Sequence, residues 1–182
     1  MIINKETLPV GTVLFPLPVV MVSCGSLEKD ANIITIAWTG TVCSEPPMIA
    51  VGVRPERHSH SLIKESGEFV VNVPDINTID ATELCGVLSG RDVDKFAKAG
   101  LTAGKGKKVS APIIQECPLN IECKVVETIS LGSHDLFIGE VVAVQGSPEI
   151  IVENNKLDIA KIVPIVYAGG EYWTLGHKVE RP

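Results

Sequence analysis

Residues 32–74 read NIITIAWTGTVCSEPPMIAVGVRPERHSHSLIKESGEFVVNVP. Three apolar runs rich in β-branched residues lie in this stretch, at 33–37 (IITIA), 48–53 (MIAVGV) and 69–73 (FVVNV), and each has the length of a strand. Pro46 and Pro47 fix a bend just ahead of the second run. Neither proline has an N–H to give to a ladder, so this segment is expected at a barrel corner or in a loop. Between the second and third runs, Leu62 and Ile63 with polar flanks predict a short helix. It opens near Ser59 or Ser61 and stops at Ser66-Gly67.

The pattern continues outward. Residues 19–24 (VVMVSC) read as a strand that the turn-forming GSLEKD at 25–30 folds back on 33–37 as a hairpin. Downstream, 83–88 and 92–99 read as short helices, and 120–129, 136–145 and 162–167 as strands. Turns are expected at Leu131-Gly132-Ser133 and Gly146-Ser147-Pro148. The lysine-glycine run GKGKK at 104–108 reads as a solvated loop. Many strands at hairpin spacing with only short helices predict a mainly β fold, an antiparallel β-barrel with short peripheral helices, because closing a sheet removes its exposed edges. A doubly wound parallel sheet needs longer helices between its strands. Nothing in the 182 residues marks a boundary, so residues 1–182 are read as one domain.

Composition narrows the function. Hydrophobic residues make up 45% of the chain, but charge, Gly or Pro interrupts every apolar run well short of the roughly 18 residues of a membrane span. The opening MIINKETLPVG lacks the basic-then-apolar order of a secretory signal, so a cytoplasmic location is expected, without membrane contact. A formal charge of −6 argues against nucleic acid as a partner. The five cysteines form no CxxC pair, and they read as small buried residues in a reducing compartment.

Against that acidic background, residues 54–64 (RPERHSHSLIK) gather two arginines, two histidines and a lysine. A solvated basic face on an exposed helix is one reading. The other is an anion site, in which Arg54, Arg57 and His60 supply charge, Ser59 or Ser61 a hydroxyl, and the helix start its unpaired N–H groups. His58 and His60 are weak candidates for metal ligands, because the neighbouring arginines repel a cation, and no metal is expected. No GxxxxGK[ST] or GxGxxG run is present, so a phosphate here is held neither by a P-loop nor by a dinucleotide turn. Upstream, Asn32, Trp38, Thr39, Gly40 and Thr41 sit at a strand end and in the loop expected after it, where Trp38 can lie against a flat ring or serve as ordinary core.

Taken together, these segments resemble the flavin reductase-like family, an FMN-binding split β-barrel, and among its members the flavoredoxins most closely. The resemblance runs through FPLPVVMVSCG at 15–25, the N-x-x-T-x-A-W segment at 32–38 ending in S-x-P-P, SGRDVDKF at 89–96, LGSHDLFIGEVVAV at 131–144 and PIVYAGGEYWTLG at 164–176. It implies non-covalent FMN contacts from Asn32, Trp38, Thr39, Gly40, Thr41, Ser59, Lys95, His134 and Tyr167. Lys95 or backbone N–H groups are then expected near the flavin N1 and C2 carbonyl, favouring the reduced form, and His134 near the ring as a donor or proton relay, the one catalytic candidate. The activity implied is transfer of electrons from NAD(P)H or a redox partner to flavin, ferric or protein acceptors. The alternative is a flavoredoxin-type carrier that reacts little with NAD(P)H. A homodimer is also implied, with Tyr167 or the region of Trp173 serving the partner's site.

Overall fold

The computed structural model describes residues 3–180. Its centre is a seven-stranded antiparallel sheet built from β1 (Val20–Cys24), β2 (Asn32–Ile36), β3 (Thr39–Ser44), β4 (Pro47–Val53), β5 (Glu68–Val73), β6 (Leu119–Ser130) and β7 (Asp135–Gly146). The strand order is β2-β1-β5-β6-β7-β4-β3. The two edge strands, β2 and β3, are consecutive in the chain and joined only by Ala37 and Trp38. So short a link forces the sheet to curl until its edges approach, and Gly52 N–H of β4 donates to the Trp38 carbonyl at 2.8 Å where they meet. Hairpin pairing of β1 with β2 and of β6 with β7 follows the expected turns.

Alternation fills the curl. Val20, Val22 and Cys24 of β1, Ile34 and Ile36 of β2, Val51 and Val53 of β4, and Phe69 and Val71 of β5 form one buried cluster with Ile63, Cys123 and Phe137. Burying each large side chain contributes about 1.5–3 kcal/mol, so this cluster is the main source of stability. Gly139 of β7 lets Phe69 in, since a Cβ there would lie 2.6 Å from the Phe69 ring. On the outer face of β1 and β2, Met21 and Ile33 pack against Cys85, Phe96, Ile114 and Cys117.

Three α-helices stand outside the sheet among the described residues: α1 (His58–Ser66), α2 (Ile79–Val87) and α3 (Lys95–Ala99). Helix α1 stops at Gly67, whose φ of 66° is the left-handed conformation glycine adopts freely, and whose N–H bonds the Ile63 carbonyl at 2.8 Å. Helix α3 is capped by Asp94, which accepts from Ala97 N–H at 3.2 Å. A smaller sheet pairs Leu17–Pro18 with Ile165–Ala168 and then Glu171–Thr174, the last two joined through Gly169 and Gly170.

Several segments differ from the sequence reading: the helix expected over 92–99 runs only from Lys95 to Ala99, after its Asp94 cap, and the strand expected over 162–167 begins at Ile165. Residues 39–44, expected as a loop, are the edge strand β3, because β4 offers them a ladder that the sequence does not display. Helix α2 begins at Ile79, four residues before Glu83, because Asp75 and Thr78 cap a preceding 3₁₀ turn that leads into it. No helix among the described residues is long and apolar enough to cross a membrane.

Candidate cofactor site

The curl leaves a cavity of about 450 Å³ beside Trp38, walled by Ile34 and Ile36 of β2, Gly52 and Val53 of β4, Glu83 of α2, His134 of the β6–β7 turn, and Tyr167 and Tyr172 of the C-terminal hairpin. Arg54 and Arg57 reach it from the loop after β4. It continues past Ile34, Arg57 and Gly86 into a narrower chamber of about 190 Å³ lined by Asn32, His58, Ser59, Gly90 and Lys95. The wide part is aromatic and the narrow end is basic.

Lys95 decides the character of that end. The residue is 4% exposed, and Nζ donates to the carbonyls of Ile33 and Cys85, each at 2.8 Å. No carboxylate pairs with it among the described residues, and burial holds its pKa below the ordinary lysine value. An ammonium has three donors, so one remains for a ligand. Nearby, Asn32 Nδ2 donates to Ser59 Oγ at 2.8 Å, and Arg57 at the start of α1 makes no side-chain cap; the His60 N–H bonds the Arg57 carbonyl at 3.0 Å, which leaves the N–H groups of His58 and Ser59 for an anion. This donor set suits a phosphate: one buried cation, a guanidinium, a hydroxyl and a helix start.

At the wide end Trp38 and His134 stack in parallel with ring centroids 6.0 Å apart. Ser133 Oγ sits 2.9 Å from His134 Nδ1 and orients the imidazole. The same two rings also border an apolar hollow of about 500 Å³ that contains Thr39, Gly40 and Leu131. Across the large cavity, Tyr172 Oη donates to Glu83 Oε2 at 2.8 Å, and the edge of Tyr167 meets Tyr172 with centroids 6.0 Å apart. Burial, then Glu83, raises the Tyr172 pKa, which keeps its hydroxyl a donor. The C-terminal hairpin thus closes over the cavity.

The structure brings Asn32, Trp38, Arg54, Arg57, Ser59, Lys95, His134 and Tyr167 to this one continuous space. Lys95 stands beside Ser59 in the narrow chamber and does not line the aromatic part. His60 turns away: its Nε2 meets Asp135 Oδ2 at 2.8 Å and its ring packs edge-on to Phe137, which ties α1 to β7. The hydrogen bonds from His60 and then Ser130 hold the Asp135 carboxyl below the usual range. Ser61 Oγ donates to the His58 carbonyl within its own helix. Thr39 Oγ1 donates to the Ala50 carbonyl at 2.9 Å, so Thr39 and Gly40 border only the outer hollow, and Thr41 lines none of these spaces.

Sequence reasoning missed Glu83, Tyr172 and Gly90. The signal for Tyr172 was present, because a hairpin through Gly169-Gly170 places it opposite Tyr167. Glu83 carried none. No thiol offers a nucleophile here: burial pushes Cys24 up to about 12 and Cys85 up to about 11.

A curled antiparallel sheet with an aromatic cavity at its seam defines the class of split-barrel, flavin-binding folds. The chain belongs to the family described as flavin reductase like domain, whose model matches residues 12–176. It is similar to the flavoredoxin of Desulfovibrio vulgaris (Miyazaki F), with TM-score 0.91 and 32% identity over 98% of this chain and 97% of that one. It is also similar to the flavoredoxin from Methanosarcina acetivorans, with TM-score 0.88 and 32% identity over 97% of this chain and 95% of that one. An uncharacterized protein of Archaeoglobus fulgidus is 39% identical over 144 residues, 75% of this chain and 80% of its own length.

Proposed function

We propose that the chain is an FMN-dependent oxidoreductase that takes electrons from NAD(P)H or a redox partner and passes them to flavin, ferric or protein acceptors. The observation that carries this reading is Lys95, a buried ammonium without a carboxylate partner among the described residues, at the end of an aromatic cavity. Lys95, Arg57, Ser59 and the start of α1 would hold the phosphate. Trp38, His134 and Tyr167 would border the ring. FMN supplies hydride and single-electron transfer when bound, and the protein's part is to position it and tune its potential. The two tyrosines and Trp38 wall the ring cavity, and His134, oriented by Ser133, can hold or pass a proton at its Nε2.

The similarity to flavoredoxins supports a second reading, an electron carrier with tightly held FMN that exchanges electrons with protein partners and reacts little with NAD(P)H. A homodimer in the cytoplasm belongs to either reading. Exposed apolar side chains at Leu8, Val13, Leu14 and Phe15 supply surface that a second copy would cover.

The absorbance spectrum of the purified protein tests the cofactor, and the flavin bands are expected. A colourless protein that takes up no added FMN would end both readings. Anaerobic mixing with NADH and NADPH separates them: flavin bleaching within seconds marks the reductase, and flavin that stays oxidised for minutes marks the carrier.

A further inference from the structure

The basic chamber ends at a wall. His58 and Gly90 line it on one side and, on the other, border an outer hollow of about 580 Å³. The loop at this wall lies hard against the site, since a Cβ on Gly90 would fall 2.1 Å from Asn32 Oδ1. Arg91, the next residue, reaches across and donates Nη1 to the Glu56 carbonyl at 2.7 Å. Glu56 lines the chamber from the opposite loop, so this bond straps one side of the chamber to the other. Beyond the strap, the outer hollow carries the carboxylates of Asp30, Asp92 and Asp94 against the single guanidinium of Arg91, with Lys29 touching Asp30 from outside at 3.8 Å.

We propose that the Arg91 strap and the acidic rim behind it make this site selective for a flavin mononucleotide over a flavin dinucleotide. The inference rests on the flavin reading above. A phosphate monoester ends within the chamber, where Lys95 and Arg57 meet its charge. A pyrophosphate must continue through the wall, displace the Arg91–Glu56 bond, and set its second phosphate and adenosine among carboxylates of like charge. Both requirements penalise the dinucleotide alone, and neither touches the ring or the first phosphate. Discrimination therefore arises at residues that make no contact with the favoured ligand.

Flavin fluorescence quenching, read as equilibrium titrations of the full-length, flavin-depleted protein with FMN and with FAD, tests this directly. The wild type is expected to bind FMN at least tenfold more tightly than FAD. The double variant Arg91→Ala/Asp92→Ala removes the strap without changing the net charge of the rim, and it is expected to narrow the ratio about tenfold by tightening FAD, with FMN affinity within about threefold of wild type. Asp30→Asn, which lies on the far rim, is expected to narrow it two- to threefold. All three positions are exposed, and circular dichroism checks that the fold is retained. Equal affinities in the wild type, or an unchanged ratio in both variants, would overturn the proposal while leaving flavin binding intact. Binding of neither flavin would instead overturn the cofactor reading on which it rests.

Discussion

Trp38 and His134 lie face to face, their planes within 2° of parallel, although one ring comes from the link between β2 and β3 and the other from the turn between β6 and β7. The pair closes the seam of the curled sheet from opposite sides. Aromatic stacking contributes about 0.5–1.5 kcal/mol beyond buried area, so Trp38→Ala is expected to weaken FMN binding about tenfold and His134→Ala by about threefold. Calorimetric titration measures both. Wild-type affinity in Trp38→Ala would place the ring away from the seam.

Lys95 sits at the other end of the site, and its charge should matter only to a ligand that carries phosphate. Charge-assisted hydrogen bonds contribute about 1.5–3 kcal/mol, so Lys95→Met should weaken FMN binding by about ten- to 150-fold while leaving riboflavin, which has no phosphate, within about twofold. The pH dependence has two opposite signs. Because burial lowers the folded-state pKa from 10.5, FMN affinity is present below that lowered value and is lost as pH rises through it. In the cofactor-free protein the unfolded chain keeps the proton longer than the folded one. The Lys95 contribution to stability therefore grows as pH rises across the same window below 10.5. Titrations and urea melts with and without Lys95→Met isolate these terms.

Much of this arrangement was legible in the sequence, and the parts that were not share a physical reason. Strands β1, β2 and β4 announced themselves through β-branched runs whose alternate residues enter the core. Strand β3 did not, because TGTVCS has no buried face and acquires its ladder only when β4 lies alongside. Asn32 and Ser59 were singled out from the residues and Lys95 through family resemblance, yet the meeting of residues 27 positions apart in the Asn32–Ser59 bond is set by tertiary packing. His60 and Ser61 were grouped with Ser59 because they adjoin it in sequence. A helix turns each successive residue by about 100°, so the two residues that follow Ser59 point elsewhere, and the partner of His60 lies 75 residues away.

The Tyr172–Glu83 bond holds the C-terminal hairpin against α2 at the mouth of the ring cavity. A net hydrogen bond of this kind contributes about 0.5–1.5 kcal/mol. Tyr172→Phe is therefore expected to raise the FMN dissociation rate about three- to tenfold, with a smaller change in the association rate. Glu83→Gln keeps an acceptor for the tyrosine and should fall nearer wild type. Chasing bound FMN with excess apoflavodoxin or riboflavin gives the rates, and equal dissociation in Tyr172→Phe would mean the hairpin does not gate release.

Glu122 shows what the sequence of a solvated loop leaves out. The glycine-lysine run at 104–108 carries exposed lysines, but its backbone is fastened from within by this fully buried carboxylate of β6. Glu122 Oε1 accepts from Lys107 N–H at 2.9 Å and from the Gln145 amide at 2.9 Å, while Oε2 accepts from Lys108 N–H at 2.6 Å and Val109 N–H at 3.2 Å. Glu122→Ala strips four donors of their acceptor at once, and removing one partner of a buried charged network costs about 3–5 kcal/mol, a large share of a typical domain's 5–15 kcal/mol. Glu122→Gln keeps the volume but turns an amide donor toward backbone donors, so a loss of about 2 kcal/mol is expected. Residues 104–109 line neither chamber of the cofactor site, so FMN affinity in Glu122→Gln should stay within about twofold of wild type. Urea melts give the stabilities, and a loss below about 1 kcal/mol in Glu122→Ala would mean that water satisfies the loop as well as the carboxylate does.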